Sequence, residues 1–266
     1  MTTDDHGVLL VSLDGAVATI TLHRPDRGNG LTTELKERLL DALANVGDDA
    51  SVRAVVLSGS GRAFCVGQDL GEHADALRRD ASTAFETVER HYNPVVTLLA
   101  GMPKPVIAAI NGACVGAGLG FALACDLRIA ADTAKFGTAF TGIGLTCDSG
   151  LSATLAVAVG AARASELVLL GEPFSAEQAL AWGLIGRIVP ADELGSAAAE
   201  LAGRLAEGPT AAYAEAKRAL AAARLPSLTD VVRGEASAQA RLGMTADHQG
   251  AVDAFLSKQQ PRFSGR

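Results

Sequence analysis

Residues 103–126 read PKPVIAAINGACVGAGLGFALACD, and the order of residue types in this stretch decides the fold class. No charged residue lies between Lys104 and Asp126, a distance long enough in principle to cross a bilayer. The stretch nevertheless divides into three parts. Pro105 to Ile110 is a β-type run, Asn111 to Gly116 is a glycine-rich loop, and a short apolar helix continues to Cys125. Asn111 and the glycines at 112, 116, 118 and 120 interrupt the apolar run, so it reads as a buried strand, loop and helix and not as a membrane span.

The same grammar extends outward. Val8–Leu13 and Ala16–His23 read as strands joined by the turn Asp14-Gly15. Leu35, Leu39, Leu43 and Val46 recur at helical spacing and predict an amphipathic helix over Thr33–Val46. Val52–Ser58 predicts a third strand, followed by a glycine-punctuated loop to Asp69 and a helix around Phe85, Val88, Tyr92, Val96 and Leu99. Beyond 103–126 comes a strand near Leu127–Ala130. From about residue 149 the pattern is helix after helix, with one strand-like break at Ile188-Val189. Ser175-Ala-Glu-Gln178 is a capping box opening a helix that Gly183 closes, and alanine-rich helices are expected at 194–207 and 210–224. The last helix ends near Lys258. There is no repeat at a solenoid period and no Pro/Ser-rich linker. The expectation is an α/β core over residues 1–200 and a helical C-terminal region over 201–266.

Composition narrows the function classes. Apolar residues make up 48% of the 266, ample for a buried core. A formal charge of −7 argues against nucleic acid, which wants a basic face, but leaves room for a polyanionic ligand held by a few local cations. Cys65, Cys114, Cys125 and Cys147 form no C-x-x-C pair and no metal-ligand spacing. They read as buried small side chains in a reducing, cytoplasmic setting. The acidic N-terminus, MTTDDH, carries no apolar leader segment.

Two loops concentrate small residues where a strand hands over to a helix: Gly61–Asp69 and Asn111–Gly120. Glycine permits unusual dihedrals and close approach of a ligand to backbone N–H groups, and a helix start adds unsatisfied donors and a positive dipole end. Two such N–H groups converging would form an oxyanion hole. Glycine spacing alone is equally consistent with ordinary tight turns, or with a packing face formed by Gly112, Gly116 and Gly120. It is neither a P-loop nor a dinucleotide fingerprint.

The segments GRAFCVGQDL (61–70), PKPVIAAING (103–112), Gly116-Ala-Gly118 and Cys125-Asp126 are flanked by HRPDRGN (23–29) and PRFSG (261–265). In this order they resemble the signature of the crotonase (enoyl-CoA hydratase/isomerase) superfamily over nearly the whole chain. The resemblance implies a ββα superhelix core with a helical C-terminal trimerisation region, a homotrimer or dimer of trimers, and an acyl-CoA thioester substrate. No metal or separate cofactor is implied, since coenzyme A arrives as part of the substrate. It places the oxyanion-hole N–H groups on Gln68 and Ala117. It also places Arg24 and Arg27 near the CoA phosphates, Ala63 and Val66 beside the adenine, and Lys258 as a further cation from a neighbouring subunit.

The departures from the family pattern are more informative. Family hydratases use two glutamates, and the corresponding positions here are Gly120 and Phe140, neither of which can move a proton. Phe140 instead makes an acyl pocket more apolar. Asp148, in GLTCDSG (144–150), aligns with an aspartate used by family isomerases and dehalogenases. The look is nearest to the branch of ring-epoxide isomerases in phenylacetate degradation. The alternative for Asp148 is an N-cap on a helix starting near Ser149. Asp69, Asp126 and Asp132 read as structural acceptors, and His91 lies near a dehalogenase histidine position but two residues out of register. The chain therefore reads as an acyl-CoA isomerase using one aspartate. The alternatives are a hydratase with other acids, an enzyme whose Asp148 attacks covalently, and a non-catalytic acyl-CoA-binding homologue.

Overall fold

The computed structural model describes residues 2–5, 7–81, 83–222 and 228–262; residues 263–265 of the terminal motif, and the last two of the helix expected over 210–224, lie outside them. The chain opens with β1 (Thr2–Asp5), β2 (Leu9–Asp14), β3 (Val17–Leu22) and α1 (Thr33–Asp48). Three units of two strands and helix follow. The first is β4 (Ala54–Gly59), β5 (Ala63–Cys65), then α2 (Leu70–Asp80) and α3 (Asn93–Gly101). The second is β6 (Val106–Ile110), β7 (Ala113–Val115) and α4 (Ala117–Ala124). The third is β8 (Leu127–Ala131), β9 (Lys135–Gly137) and α5 (Leu151–Val159). The remainder is α6 (Ala161–Leu170), β10 (Phe174–Ser175), α7 (Ala176–Ala181), β11 (Arg187–Val189), α8 (Leu194–Ala206), α9 (Thr210–Ala222), α10 (Leu228–Gly243) and α11 (Ala246–Leu256).

The larger sheet has the order β1-β2-β3-β4-β6-β8-β11 and the smaller β10-β9-β7-β5. From β3 onward the larger sheet is parallel, with Val17 opposite Ala54, Val55 opposite Val106 and Ile107 opposite Leu127. In the smaller sheet β5, β7 and β9 are parallel too, with Ala63 opposite Ala113 and Ala113 opposite Lys135. Each unit thus contributes its first strand to one sheet and its second to the other. That is the expected ββα superhelix. The units begin at residues 54, 106 and 127, so unequal insertions hide the repeat from any fixed-period reading.

The expected unit of strand, loop and helix needs correction. The segments expected as loops contain β5 and β7, and β9 is a further strand. Three residues bounded by turns carry no periodicity. The polar α2 was missed for a related reason: in LGEHADALRRD the only residues it buries are His73 and Ala74. The helix around Phe85–Leu99 enters through a wide π turn at Val88–Tyr92 before α3.

β6 is buried at all five positions because both faces of the sheet are covered. Val55, Leu57, Val106, Ala108 and Ile110 belong to the main core. Ala54, Val56, Ile107 and Ala109 face the other way, onto Leu194, Ala197, Ala198 and Ala202 of α8. Alanines on that helix allow its close approach. The division at residue 200 falls within α8, and α10 turns back so that Val232 and Ala236 join the main core. The four cysteines are free and buried. Among the described residues no helix is long and apolar enough to cross a membrane.

The two sheets meet where the chain passes from β6 to β7. A side chain on Gly112 would place its first carbon 2.0 Å from the Arg62 carbonyl oxygen. Gly112→Ala should therefore cost at least about 1–3 kcal/mol, the usual penalty of overpacking. The check is a lower urea midpoint with an unchanged slope.

Candidate active site

Two asparagines hold the first glycine loop in place. Asn29 is fully buried at φ 56°, and its Nδ2 donates to the carbonyls of Ser60, Ala63 and Phe64 at 3.0, 2.7 and 3.1 Å. Asn111 Nδ2 donates to Gly61 and Ala63 carbonyls at 2.9 and 3.0 Å, which ties the second loop to the first. At the start of α4, Gly116 has φ 57° and ψ −127°, a conformation reserved for glycine. A side chain on Gly118 would start 2.4 Å from the Cys65 carbonyl oxygen, and one on Gly67 would start 3.4 Å from Ala117 N. The two loops therefore touch backbone to backbone.

This contact orients two donors. Leu31 N–H donates to Gly67 O at 2.8 Å and Asp69 N–H donates to Leu31 O at 3.3 Å. Alternation along extended backbone then turns the Gln68 N–H to the opposite side. Ala117 is the first residue of α4, so its N–H has no intrahelical acceptor and sits at the positive end of the helix. Gln68 and Ala117 line one cavity of about 600 Å³. Such a pair can hold an oxyanion. The packing-face alternative fails, because Gly112 meets Arg62 while Gly120 meets Ser149.

Asp148 lines the same cavity and is 4% exposed. Ser149 Oγ donates to its Oδ1 at 2.8 Å and Gln239 Nε2 donates to its Oδ2 at 3.0 Å. Burial pushes its carboxyl up to about 7; the Gln239 and Ser149 hydrogen bonds oppose the shift, the Glu235 charge adds to it, and Lys36 opposes it. The capping role is overturned. Gly150, at φ 69°, is the N-cap of α5 and no side chain of that residue caps it. The carboxylate of Glu235, from α10, accepts from Gly150 N–H at 2.6 Å and from Ser152 N–H at 2.8 Å instead. Glu235 is itself buried, which raises its pKa. The turn that presents Asp148 has Ser149 at φ 56° and passes so close to α4 that a side chain on Gly120 would start 2.5 Å from Ser149 Cβ.

The remaining expected residues divide. Phe140 is buried in the cavity wall, its ring 3.9 Å from where a Gly116 side chain would begin. Arg27 and the 39% exposed Val66 also line the cavity. Ala63 does not: it is buried in β5 beside Gly28 and Val66. Arg24 is committed to bracing the loop, donating to Asp69 Oδ2 at 2.9 Å and to the Gly30 carbonyl. Asp69 caps α2 by accepting from Glu72 N–H, and Asp126 accepts from Val106 N–H and Lys217. Both are structural acceptors, as their surroundings in the sequence suggested. Phe255 and Leu256 bring α11 of the same chain to its own cavity. Lys258, two residues beyond α11, is exposed and does not line this cavity. His91 lies in a separate polar cavity, against Thr87 at 3.0 Å.

Four residues escaped sequence reasoning. Gln239 and Glu235 lie on a helix whose pattern shows only amphipathicity, and nothing local links it to residue 148. Tyr92 donates to Gln68 Oε1. Lys36 is buried with its Nζ on Thr87 Oγ1 at 2.7 Å and over the Tyr92 ring, and burial lowers its pKa to about 8 against the pull of Glu72. Its one legible signal is a position beside the apolar stripe of α1. Among the described residues no group of three or more His, Cys, Asp or Glu could hold a metal ion.

The chain is similar to known proteins along nearly its whole length. The family model described as enoyl-CoA hydratase/isomerase matches residues 12–266. The chain is 40% identical to the 1,2-epoxyphenylacetyl-CoA isomerase of Escherichia coli over 97% of its length and 98% of that protein. It is 43% identical to a protein of Rhodobacter capsulatus named "probable enoyl-CoA hydratase", over 94% and 95%. A solved enoyl-CoA hydratase from Mycobacterium avium subsp. paratuberculosis superposes with a TM-score of 0.87 at 35% identity, covering 97% of this chain and 99% of that one.

Two stability measurements separate the neighbouring carboxylates. Glu235→Ala strands the buried Gly150 N–H and the partly buried Ser152 N–H and should cost about 1–3 kcal/mol. Asp148 holds its proton in the folded state up to about pH 7 but only to its ordinary 3.8 when unfolded. Its contribution to stability is therefore present at low pH and is lost as pH rises through that window. Asp148→Asn removes this slope, so its melting temperature relative to the wild type should climb between about pH 4 and pH 7.

Proposed function

The chain belongs to the enoyl-CoA hydratase/isomerase family, and within it we propose that the protein is an acyl-CoA thioester isomerase that works with a single aspartate. The observation that carries this reading is Asp148. Of the carboxylates among the described cavity residues, Asp69 and Asp148, the first is consumed by its cap and by Arg24. The second is buried, aimed by two donors, and poised at about 7, where a base both takes and returns protons efficiently.

In the proposed reaction the thioester carbonyl oxygen lies between the N–H groups of Gln68 and Ala117. Asp148 removes a proton from a carbon of the acyl group, and the electron pair moves into the carbonyl as an enolate held by the two donors. The protonated Asp148 returns the same proton at another carbon. The outcome is a 1,3 shift of a double bond or rearrangement of a ring epoxide. Ionisation in the apolar surroundings of Phe140, Leu145 and Tyr92 strengthens the donors' hold on the enolate. Arg27 and Val66 receive the CoA portion at the cavity mouth. No metal or redox group is called upon.

Hydration would require a water oriented by a second acid. At the Gly120 position no side chain can start without displacing Ser149, and Phe140 offers no proton. The residue that closes the Gly120 site is the one that hydrogen-bonds Asp148, so a family hydratase glutamate and this aspartate turn compete for one space.

The assembly we propose is a trimer or dimer of trimers, in keeping with exposed Leu169, Leu170 and Leu220, each more than 60% accessible. Light scattering at micromolar concentration should give at least three subunit masses, and a monomer would rule the assembly out.

Incubation with enoyl-, dienoyl- and ring-epoxide CoA esters in deuterium oxide, read by mass spectrometry, should reveal isomerisation. Crotonyl-CoA hydration should stay far below the roughly 10 per second of a typical enzyme. Asp148→Asn should lower turnover roughly 10²–10⁴-fold and cut deuterium incorporation in parallel. For the wild type, kcat/KM should rise with pH and level off above about 7, since the base must be ionised. An asparagine variant keeping half the activity would place the base elsewhere.

A further inference from the structure

Tyr92 stands at the end of the wide π turn Val88–Tyr92, where Asn93 N–H donates to the Val88 carbonyl oxygen. Such a turn holds one residue more than an α turn, so it shifts the side chains after it around the helix axis. Tyr92 is 2% exposed. Its ring meets Phe121 edge-on, with centroids 5.9 Å apart. The Lys36 ammonium, held by Thr87 Oγ1 at 2.7 Å, lies over the ring, 5.5 Å from the centroid. A ring enclosed in this way has one seat, and from it the hydroxyl donates to Gln68 Oε1. Burial holds the hydroxyl's pKa well above its ordinary 10, so it keeps its proton and stays a donor at neutral pH.

The backbone at Gln68 has a freedom that this contact removes. Gly67 O and Gln68 N–H belong to one trans peptide and point in opposite directions. Leu31 N–H holds that peptide at its oxygen, at 2.8 Å, and Asp69 N–H holds the next one to Leu31 O at 3.3 Å. A plane fixed at one end by one hydrogen bond can still rock about it. Gly67, at φ 85°, is the residue type least able to resist. Gln68 also lines both the cavity that holds Asp148 and the polar cavity that holds His91, so a loose carboxamide has space on two sides. Tethering it at Oε1 fixes the Gln68 Cα, the second point the plane needs.

We propose that Tyr92 is a positioning residue for the oxyanion site: its hydroxyl holds the Gln68 carboxamide, and through it the Gln68 N–H, in the orientation that takes the thioester oxygen. This rests on the reading that Gln68 and Ala117 supply the oxyanion donors, and it assigns what keeps one of them aimed. The two donors are held by different means. Ala117 N–H is fixed by α4 itself, whose first turn is locked against Cys65 through Gly118. Gln68 lies outside any helix and borrows its rigidity from the side chain of Tyr92. A donor that stabilises developing charge must be in place before the charge appears, and a small misplacement is costly.

Difference infrared spectra test this without turnover. The probe is hexanoyl-CoA labelled with carbon-13 at the thioester carbonyl, whose saturated chain has no double bond to shift. On binding to the wild type, its carbonyl stretch should move to lower frequency than in water. Tyr92→Phe removes one oxygen and keeps the ring between Lys36 and Phe121. With the ester saturating, this variant should lose about half of that movement or more. On the ester that the wild type isomerises fastest, kcat should fall roughly 10–100-fold with KM within about twofold. Gln68→Met cuts the same tether from the other end and leaves the N–H in the chain, so it should reproduce both losses even if Tyr92→Phe folds poorly. The double variant should be no worse than either single one, because both substitutions break one contact. The pH at which kcat/KM levels off should stay where it is, since Asp148 is held by Ser149 and Gln239. A carbonyl stretch that is unchanged in the variants, with or without a fall in turnover, overturns this inference alone. Losses that multiply in the double variant also overturn it. A wild type that fails to bind the ester, or binds it without moving its stretch, sinks the oxyanion pair of the proposed function together with it.

Discussion

The structure depends on the absence of a side chain at one place, Gly118, where the Cys65 carbonyl oxygen occupies the space a β-carbon needs, at 2.4 Å. Two backbones that close cannot tolerate even a methyl group. The contact brings the exit of β5 against the first turn of α4. It leaves the Gln68 N–H turned away from Leu31, and Gln68 and Ala117 line one cavity. Gly112 against Arg62 and Gly59 against Phe64, at 2.0 and 2.4 Å, repeat the device where the chain crosses between the sheets. Asn29 and Asn111 then satisfy the carbonyls that such crossings leave without ladder partners. Rigid donors aimed before a ligand arrives cost no reorganisation when charge develops.

A second constraint follows from the first. Once α4 is pinned by Gly118, the same first turn also carries Gly120, and the strained Asp148–Gly150 turn rides over that gap. Asp148 faces the cavity because Glu235, reaching in from α10, has taken over the two N–H groups at the start of α5. A carboxylate relieved of capping and held by Gln239 and Ser149 stays buried, and burial sets its affinity for protons. Division of labour between two neighbouring acids, one structural and one poised, is the electrostatic core of the site.

The C-terminal helices complete both the fold and the cavity. α10 supplies Glu235 to the start of α5 and Gln239 to the wall, and α11 supplies Phe255 and Leu256 to the wall. Without them the cavity would stand open to water, and the dielectric environment that raises Asp148 would be lost.

Sequence alone determined the class of fold and the position of the two glycine-rich loops, because both are written locally. The all-apolar run Val106–Ile110, the alternation of strand and helix, and glycine clusters at strand ends are readable within a window of a dozen residues. Phe140, Arg27 and Val66 were found through the family resemblance, and the structure brings them to the cavity. Three things were decided only by tertiary structure. β5, β7 and β9 are too short to carry a period, and exist because each finds a parallel neighbour. Arg24, legible as a cation for phosphate, is drawn instead to Asp69, a residue 45 positions away. The choice between capping and a free carboxylate at Asp148 rested on Glu235, 87 residues further along the chain. A hydrogen bond between groups so distant in sequence leaves no local trace, and only packing α10 against α5 could settle which acid would be left with its charge buried and unspent.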